Sequence, residues 1–168
     1  GTIPAALTGV NWQDFTASVR LAAKYLHKMG GEQTPLYLVG YSNGAALALE
    51  YTLSRMAGEA LPEPAGLVLL SPAVAVSPLA FLADWQMKLA HLPGLAKLAW
   101  LSIDPEYDPY KYNSFAVNAG AQIRRLTGRV SALIQKQDSG SGMAGFPAVL
   151  AFQSVVDATI PPEALVDR

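Results

Sequence analysis

With 168 residues, 51% of them apolar and 15% charged, the chain is long enough to bury one core and too apolar for disorder. With a formal charge of −1 and no basic block, nothing in the sequence favours nucleic acid as a partner. The absence of cysteine excludes disulfides and thiolate metal sites, and the two separated histidines, His27 and His91, argue against a metal cluster.

In chain order, residues 1–10 read as loop, with no basic n-region or signal-like apolar core. Trp12, Phe15, Val19, Ala22, Leu26 and Met29 then recur in steps of three and four, the stripe of an amphipathic helix. Asn11 suits its N-cap, Asp14 its first turn and Gly30-Gly31 its stop, and His27 beside Lys28 reads as a helix-surface residue. The apolar run Leu36–Tyr41 predicts a parallel strand covered on both faces. A helix from about Gly44 to Met56 follows, closed by Gly58. Leu67–Leu70 predicts a second buried strand, ended by Ser71-Pro72. Strand, helix and strand in this order predict a βαβ unit with parallel strands and a right-handed crossover.

The uncharged stretch from Ala65 to Ala83 approaches the length of a membrane span. Two Ser-Pro pairs interrupt it, so it reads as a strand, a loop and a helix start rather than an integral span. Residues 73–115 then break the alternation. Leu79, Leu82, Trp85 and Leu89 can share one helix face, and Leu95, Leu98, Trp100 and Leu101 follow Pro93-Gly94. This insertion, which includes His91, reads either as a lid over an apolar acyl pocket or as a helical layer on the sheet. Asp104, Glu106 and Asp108 could suggest a metal loop, but Pro105, Pro109 and the missing EF-hand pattern argue against one. A long helix carries Ala119, Ile123, Leu126, Val130 and Leu133 inward, with Arg124, Arg125 and Arg129 on a solvated face. Ser139–Gly142 reads as a flexible loop, Ala148–Ser154 as a third buried strand, and Pro161-Pro162 as the opening of a further helix.

The chemistry concentrates in Gly40-Tyr41-Ser42-Asn43-Gly44. Gly-x-Ser-x-Gly between a strand and a helix predicts a sharp turn that lifts the Ser42 hydroxyl out at the strand end. Gly40 and Gly44 are expected because a Cβ at either place would collide. The Asn43 N–H, at the positive end of the helix, is positioned to donate to a developing oxyanion. Asp157 lies just past the third strand, on the same rim of an open α/β sheet. It reads as the acid of a catalytic set or as the cap of the turn before Pro161-Pro162.

On these residues the chain resembles the α/β-hydrolases, in particular bacterial lipase- and esterase-like members related to monoacylglycerol lipases and the serine aminopeptidase group. The resemblance is carried by the elbow 40–44, by Gln153-Ser154-Val155-Val156-Asp157, and by the helix opened by Trp12 and Asp14. It implies an α/β fold, a three-layer parallel sheet that is partial here, with residues 73–115 inserted as a lid or cap. It also implies Ser42 as nucleophile, Asp157 as triad acid, the Asn43 N–H as oxyanion donor, and no cofactor. The family places its catalytic histidine after the acid, and none follows Asp157 here. The expectation is therefore a partial hydrolase domain over residues 1–168, the middle of a longer hydrolase that is cut at both ends or supplied as separate pieces.

The implied function is hydrolysis of a carboxylic ester, a small-molecule or lipid substrate, by a Ser-His-Asp mechanism in the intact protein. The alternatives are a non-catalytic binding domain of the same shape and an acyltransferase. Recruitment of His27 or His91 as base would require an imidazole within hydrogen-bond reach of Ser42. The apolar strand Leu36–Tyr41, with an unpaired edge, is expected to drive self-association or pairing with missing segments.

Overall fold

The computed structural model describes residues 4–73, 90, 92, 94–105, 107, 113–139 and 142–153. The helix expected around Leu79–Leu89, His91, the Ser154–Asp157 segment and the helix opened by Pro161 lie outside the described residues. In chain order the elements are α1 (Trp12–Gly30), β1 (Leu36–Tyr41), α2 (Asn43–Met56), β2 (Pro64–Leu70), β3 (Trp100–Ser102), β4 (Phe115–Ala116), α3 (Val117–Asp138) and β5 (Ala148–Phe152). Short 3-10 helices cover Pro4–Thr8, where loop was expected, and Ala96–Ala99. The chain divides into two compact units, one of Gly1–Trp12 and Ser77–Arg125, the other of Gln13–Val76 and Leu126–Arg168.

The second of these units holds a parallel sheet of order β1-β2-β5. The alternation of side chains along β1 sends Leu36, Leu38 and Gly40 to one face and Tyr37, Val39 and Tyr41 to the other. Leu38 packs among Ala45, Ala48, Leu67 and Leu69, and also joins the cluster of Ala23, Tyr51 and Leu61. That face is therefore covered by α1 and α2. The other face is open, with Tyr37, Val39 and Tyr41 at 61%, 68% and 71% exposure. The expectation of a strand covered on both faces fails for β1. It fails for β5 too, where all five residues are exposed, whereas β2 between them is the buried strand.

α2 is the hub of this unit. Ala45, Ala46, Ala48, Tyr51 and Leu53 are buried on it, and Leu53 packs with Val130 and Leu133 of α3. Its end is a Schellman motif: Gly58 at φ 101 sends its N–H to Arg55 O, and the Glu59 N–H bonds Ser54 O. α1 ends at Gly31, φ 81, whose N–H bonds His27 O at 3.0 Å. Its buried face departs from the expected stripe. Thr16 and Ala23 are buried and Val19, Arg20 and His27 half-buried, while Ala22, Leu26 and Met29 face solvent. The polar inward residue is explained by its partners. The Arg20 guanidinium donates in bidentate fashion to Glu50 (2.8 and 3.1 Å) and to Glu59 (2.7 and 2.7 Å), and the Ser54 hydroxyl donates to Glu50.

In the other unit, β3 pairs antiparallel with β4, a pairing the sequence did not announce. Asn118 and Gln122, both buried at the start of α3, hold the amino-terminal segment. The Asn118 amide donates to Leu7 O and Val10 O, and Gln122 Oε1 accepts from the Trp12 N–H. Further along α3, Leu126, Val130 and Leu133 are buried as expected, Arg125 and Arg129 are exposed, and Arg124 is half-buried rather than on a fully solvated face. No described helix is long and apolar enough to cross a membrane, and Ala65–Leu70 belongs to β2.

Candidate functional site

Ser42 follows the last residue of β1 and precedes the first of α2. Its backbone sits at φ 51, ψ −113, a region that L-residues rarely enter and that costs about 1–3 kcal/mol. Four backbone hydrogen bonds hold it there. The Ser42 N–H donates to Leu70 O at 2.9 Å, extending the β1–β2 ladder by one step. The Ser42 carbonyl accepts from Ala45 (3.1 Å) and Ala46 (3.4 Å) in the first turn of α2, and from Ala73 at 3.2 Å beyond β2. The hydroxyl caps no N–H of α2, so it is spent on no structural role at the helix start.

Gly40 is required by the return of the chain. A Cβ there would lie 2.4 Å from Gly44 O and 2.5 Å from Ala45 N, both backbone atoms. Gly44 differs from expectation. A Cβ there meets nothing within 4 Å among the described residues, and no positive φ demands glycine. The turn closes α2 over Gly40, not over Gly44. Asn43 opens α2, so no preceding helical turn supplies an acceptor for its N–H. Its side-chain Oδ1 is buried without a hydrogen-bond partner among the described residues.

A feature not foreseen is Ser71, the residue after β2, with φ 42. The pairing of Tyr41 with Leu70 in register puts Ser71 beside Ser42 at the carboxyl ends of adjacent strands. The Ser71 N–H donates to Phe152 O at 2.7 Å, tying in the end of β5. The only sequence signal was Ser-Pro after a strand, which reads as a breaker and says nothing about φ.

The structure thus brings together Gly40, Ser42, Asn43 and Gly44 in one turn. Asp157 lies outside the described residues. His27 is not near Ser42: it lines a cleft of about 500 Å³ with Leu26, Met29, Pro35, Leu36 and Tyr37, at the opposite end of β1. The length of that strand separates it from Ser42 by about 15–20 Å, which removes His27 as a base. Among the described residues no group of three His, Asp or Glu side chains could hold a metal.

The electrostatics of this unit centre on the Arg20 pair of carboxylates. Hydrogen bonds donated to Glu59 and Glu50 hold the guanidinium above its ordinary range, against the cost of burial. The same contact with Arg20 holds the Glu59 carboxyl below the usual carboxylate range. Burial pushes the Tyr51 phenol up, and its hydroxyl donates to Pro62 O.

No curated protein matches the chain. Among solved structures, a monoacylglycerol lipase of Paleococcus ferrophilus superposes with a TM-score of 0.61 at 19% identity, over 94% of this chain. The matched region is 59% of that lipase, so this chain spans less than two thirds of its length. The likeness shows the fold, an α/β-hydrolase sheet with its helices. A profile described as serine aminopeptidase, S33, matches residues 7–132, most of the chain and the whole elbow. The chain belongs to this hydrolase family.

Proposed function

We propose that the intact protein is a serine hydrolase of carboxylic esters, of the lipase and esterase type, with Ser42 as nucleophile. The observation that carries this reading is the backbone of Ser42, held at φ 51 between a parallel strand and the start of α2 with its hydroxyl capping no helix N–H. In the reaction, the Ser42 oxygen attacks the ester carbonyl while a histidine, which the family pattern places after Asp157, takes its proton. Asp157 orients that histidine, and the Asn43 N–H donates to the carbonyl oxygen as it becomes an oxyanion. The alcohol leaves with the proton, and water resolves the acyl-enzyme by the same steps in reverse. The lipase to which the fold is similar supports an ester of a fatty acid as substrate. Residues 73–115 are read as a cap, supported by the grouping of Ser77–Arg125 in a compact unit of its own with Gly1–Trp12.

The test is labelling of the intact protein with a fluorophosphonate, which reacts only with an activated serine. Stoichiometric labelling that Ser42→Ala abolishes is the expected result. Absence of labelling in the wild type, with the fold intact, would favour a binding domain of hydrolase shape.

A further inference from the structure

The carboxyl ends of the adjacent strands β1 and β2 hold two serines on strained backbone, Ser42 and Ser71, and the reaction above uses one. Ser71 has φ 42, in the left-handed region where a glycine would sit at no steric cost. The chain carries a side chain there regardless. Among the described residues the Ser71 hydroxyl makes no hydrogen bond, and the residue is only half-buried. Its neighbours fix it against Ser42: Leu70 accepts from the Ser42 N–H, and Ala73 donates to the Ser42 carbonyl. Leu70 and Ala73, on either side of Ser71-Pro72, therefore form a two-point clasp on the residue read as nucleophile, one strand spacing away, about 4.8 Å between backbones.

An ester presents three features at such a point. Its acyl chain asks for apolar contact. Its carbonyl oxygen is matched by N–H donors at the start of α2. The remaining polar atom is the alcohol oxygen, which gains negative charge as its bond to the acyl carbon breaks. A hydrogen bond that strengthens as that charge develops lowers the barrier.

We propose that Ser71 is a second functional residue of this site, its hydroxyl donating to the oxygen of the departing alcohol and then engaging the water that replaces it. Ser71 keeps its own proton throughout. The proton taken from Ser42 passes through the base to the alkoxide, and the acyl carbon–oxygen bond is the one that breaks. This rests on the reading of Ser42 as nucleophile, and it narrows the substrate class to esters of poorly acidic alcohols, whose departure needs such help.

The experiment compares kcat/KM for an alkyl ester and a nitrophenyl ester of the same acid, in the intact protein and in Ser71→Ala, Ser71→Gly and Ser71→Asn. Nitrophenolate leaves with little assistance, so the ratio of alkyl to nitrophenyl turnover reports help to the leaving oxygen. The ratio is expected to fall about tenfold in Ser71→Ala and Ser71→Gly. It is expected to recover in part in Ser71→Asn, since asparagine tolerates the left-handed region and supplies a donor. Ser71→Gly also relieves the strained backbone, so its Tm is expected to rise while the ratio falls, a combination that a structural role would not produce. A ratio unchanged within about twofold, with fluorophosphonate labelling of Ser42 intact, would overturn the role of Ser71 alone. Absence of labelling at Ser42 in the wild type would overturn both readings.

Discussion

Gly40 and Gly44 occupy equivalent places in the Gly-x-Ser-x-Gly pattern and do different physical work. At Gly40 the backbone of α2 occupies the volume that a Cβ would need. Gly40→Ala must push strand and helix apart in a site already strained at Ser42, and is expected to destabilise the fold by about 3 kcal/mol. Gly44 lies in the first turn of α2 with open space around it. Gly44→Ala is expected to be neutral or stabilising by about 0.5–1 kcal/mol, the ordinary preference of a helix for alanine. Urea unfolding of the two variants checks the pair, and equal losses in both would contradict the asymmetry. The motif was legible in the sequence because it is local: an apolar hexapeptide, then five residues, then a helix former. Which of its glycines is essential was not legible, because that depends on where the carbonyl of Gly44 comes to rest.

At the scale of elements, α1 and α2 are joined by the Arg20, Glu50 and Glu59 side chains. The Glu50 side chain is 3% exposed and is bonded by Arg20 and by the Ser54 hydroxyl. Arg20→Met would leave that carboxylate buried without its cation, and is expected to cost about 3 kcal/mol or more in urea unfolding. Glu59 gives the network a pH dependence. Its folded pKa is lowered, so its contribution is fully present above the ordinary carboxylate value and is lost as pH falls through the lowered one. Stability is expected to decline below about pH 4.3, and Glu59→Gln should flatten that decline; an unaltered acid limb would show that Arg20 does not hold the carboxylate. This network also explains why the face of α1 was misread. Counting apolar residues favours Leu26 and Met29, whereas the inward positions include Thr16 and Arg20. An arginine reads as solvated until its partner carboxylates, 30 and 39 residues away, are known. β3 and β4 were invisible for a similar reason, being three- and two-residue strands that pair across intervening chain and carry no periodicity of their own.

At the scale of the whole molecule, the apolar composition that predicted buried strands located the sheet correctly and misjudged its cover. Register aligns Tyr37 with Gly66, Val39 with Val68 and Leu150, and Tyr41 with Leu70 and Phe152, so these side chains share one face. Tyr37, Val39, Tyr41, Leu150 and Phe152 are all exposed there. The Tyr37 ring lies over Gly66, 3.2 Å from where a Cβ would stand, which leaves the aromatic surface turned outward. Among the described residues β1 has one strand neighbour, β2, so its other edge offers unpaired N–H and C=O groups beside that face. A long apolar edge of this kind is a template for further pairing. The 168-residue chain on its own is therefore expected to self-associate with rising concentration, observed as an increasing weight-average mass in sedimentation velocity. Val39→Lys places a charge on the open face without touching the Leu38 side that packs on the helices, and is expected to shift the chain toward monomer. A monodisperse monomer at all concentrations, with one sharp unfolding transition, would show that the open face is tolerated in water and that the edge does not pair. Retention of self-association in Val39→Lys would move its origin to the exposed Leu21, Tyr25, Leu26 and Met29 of α1.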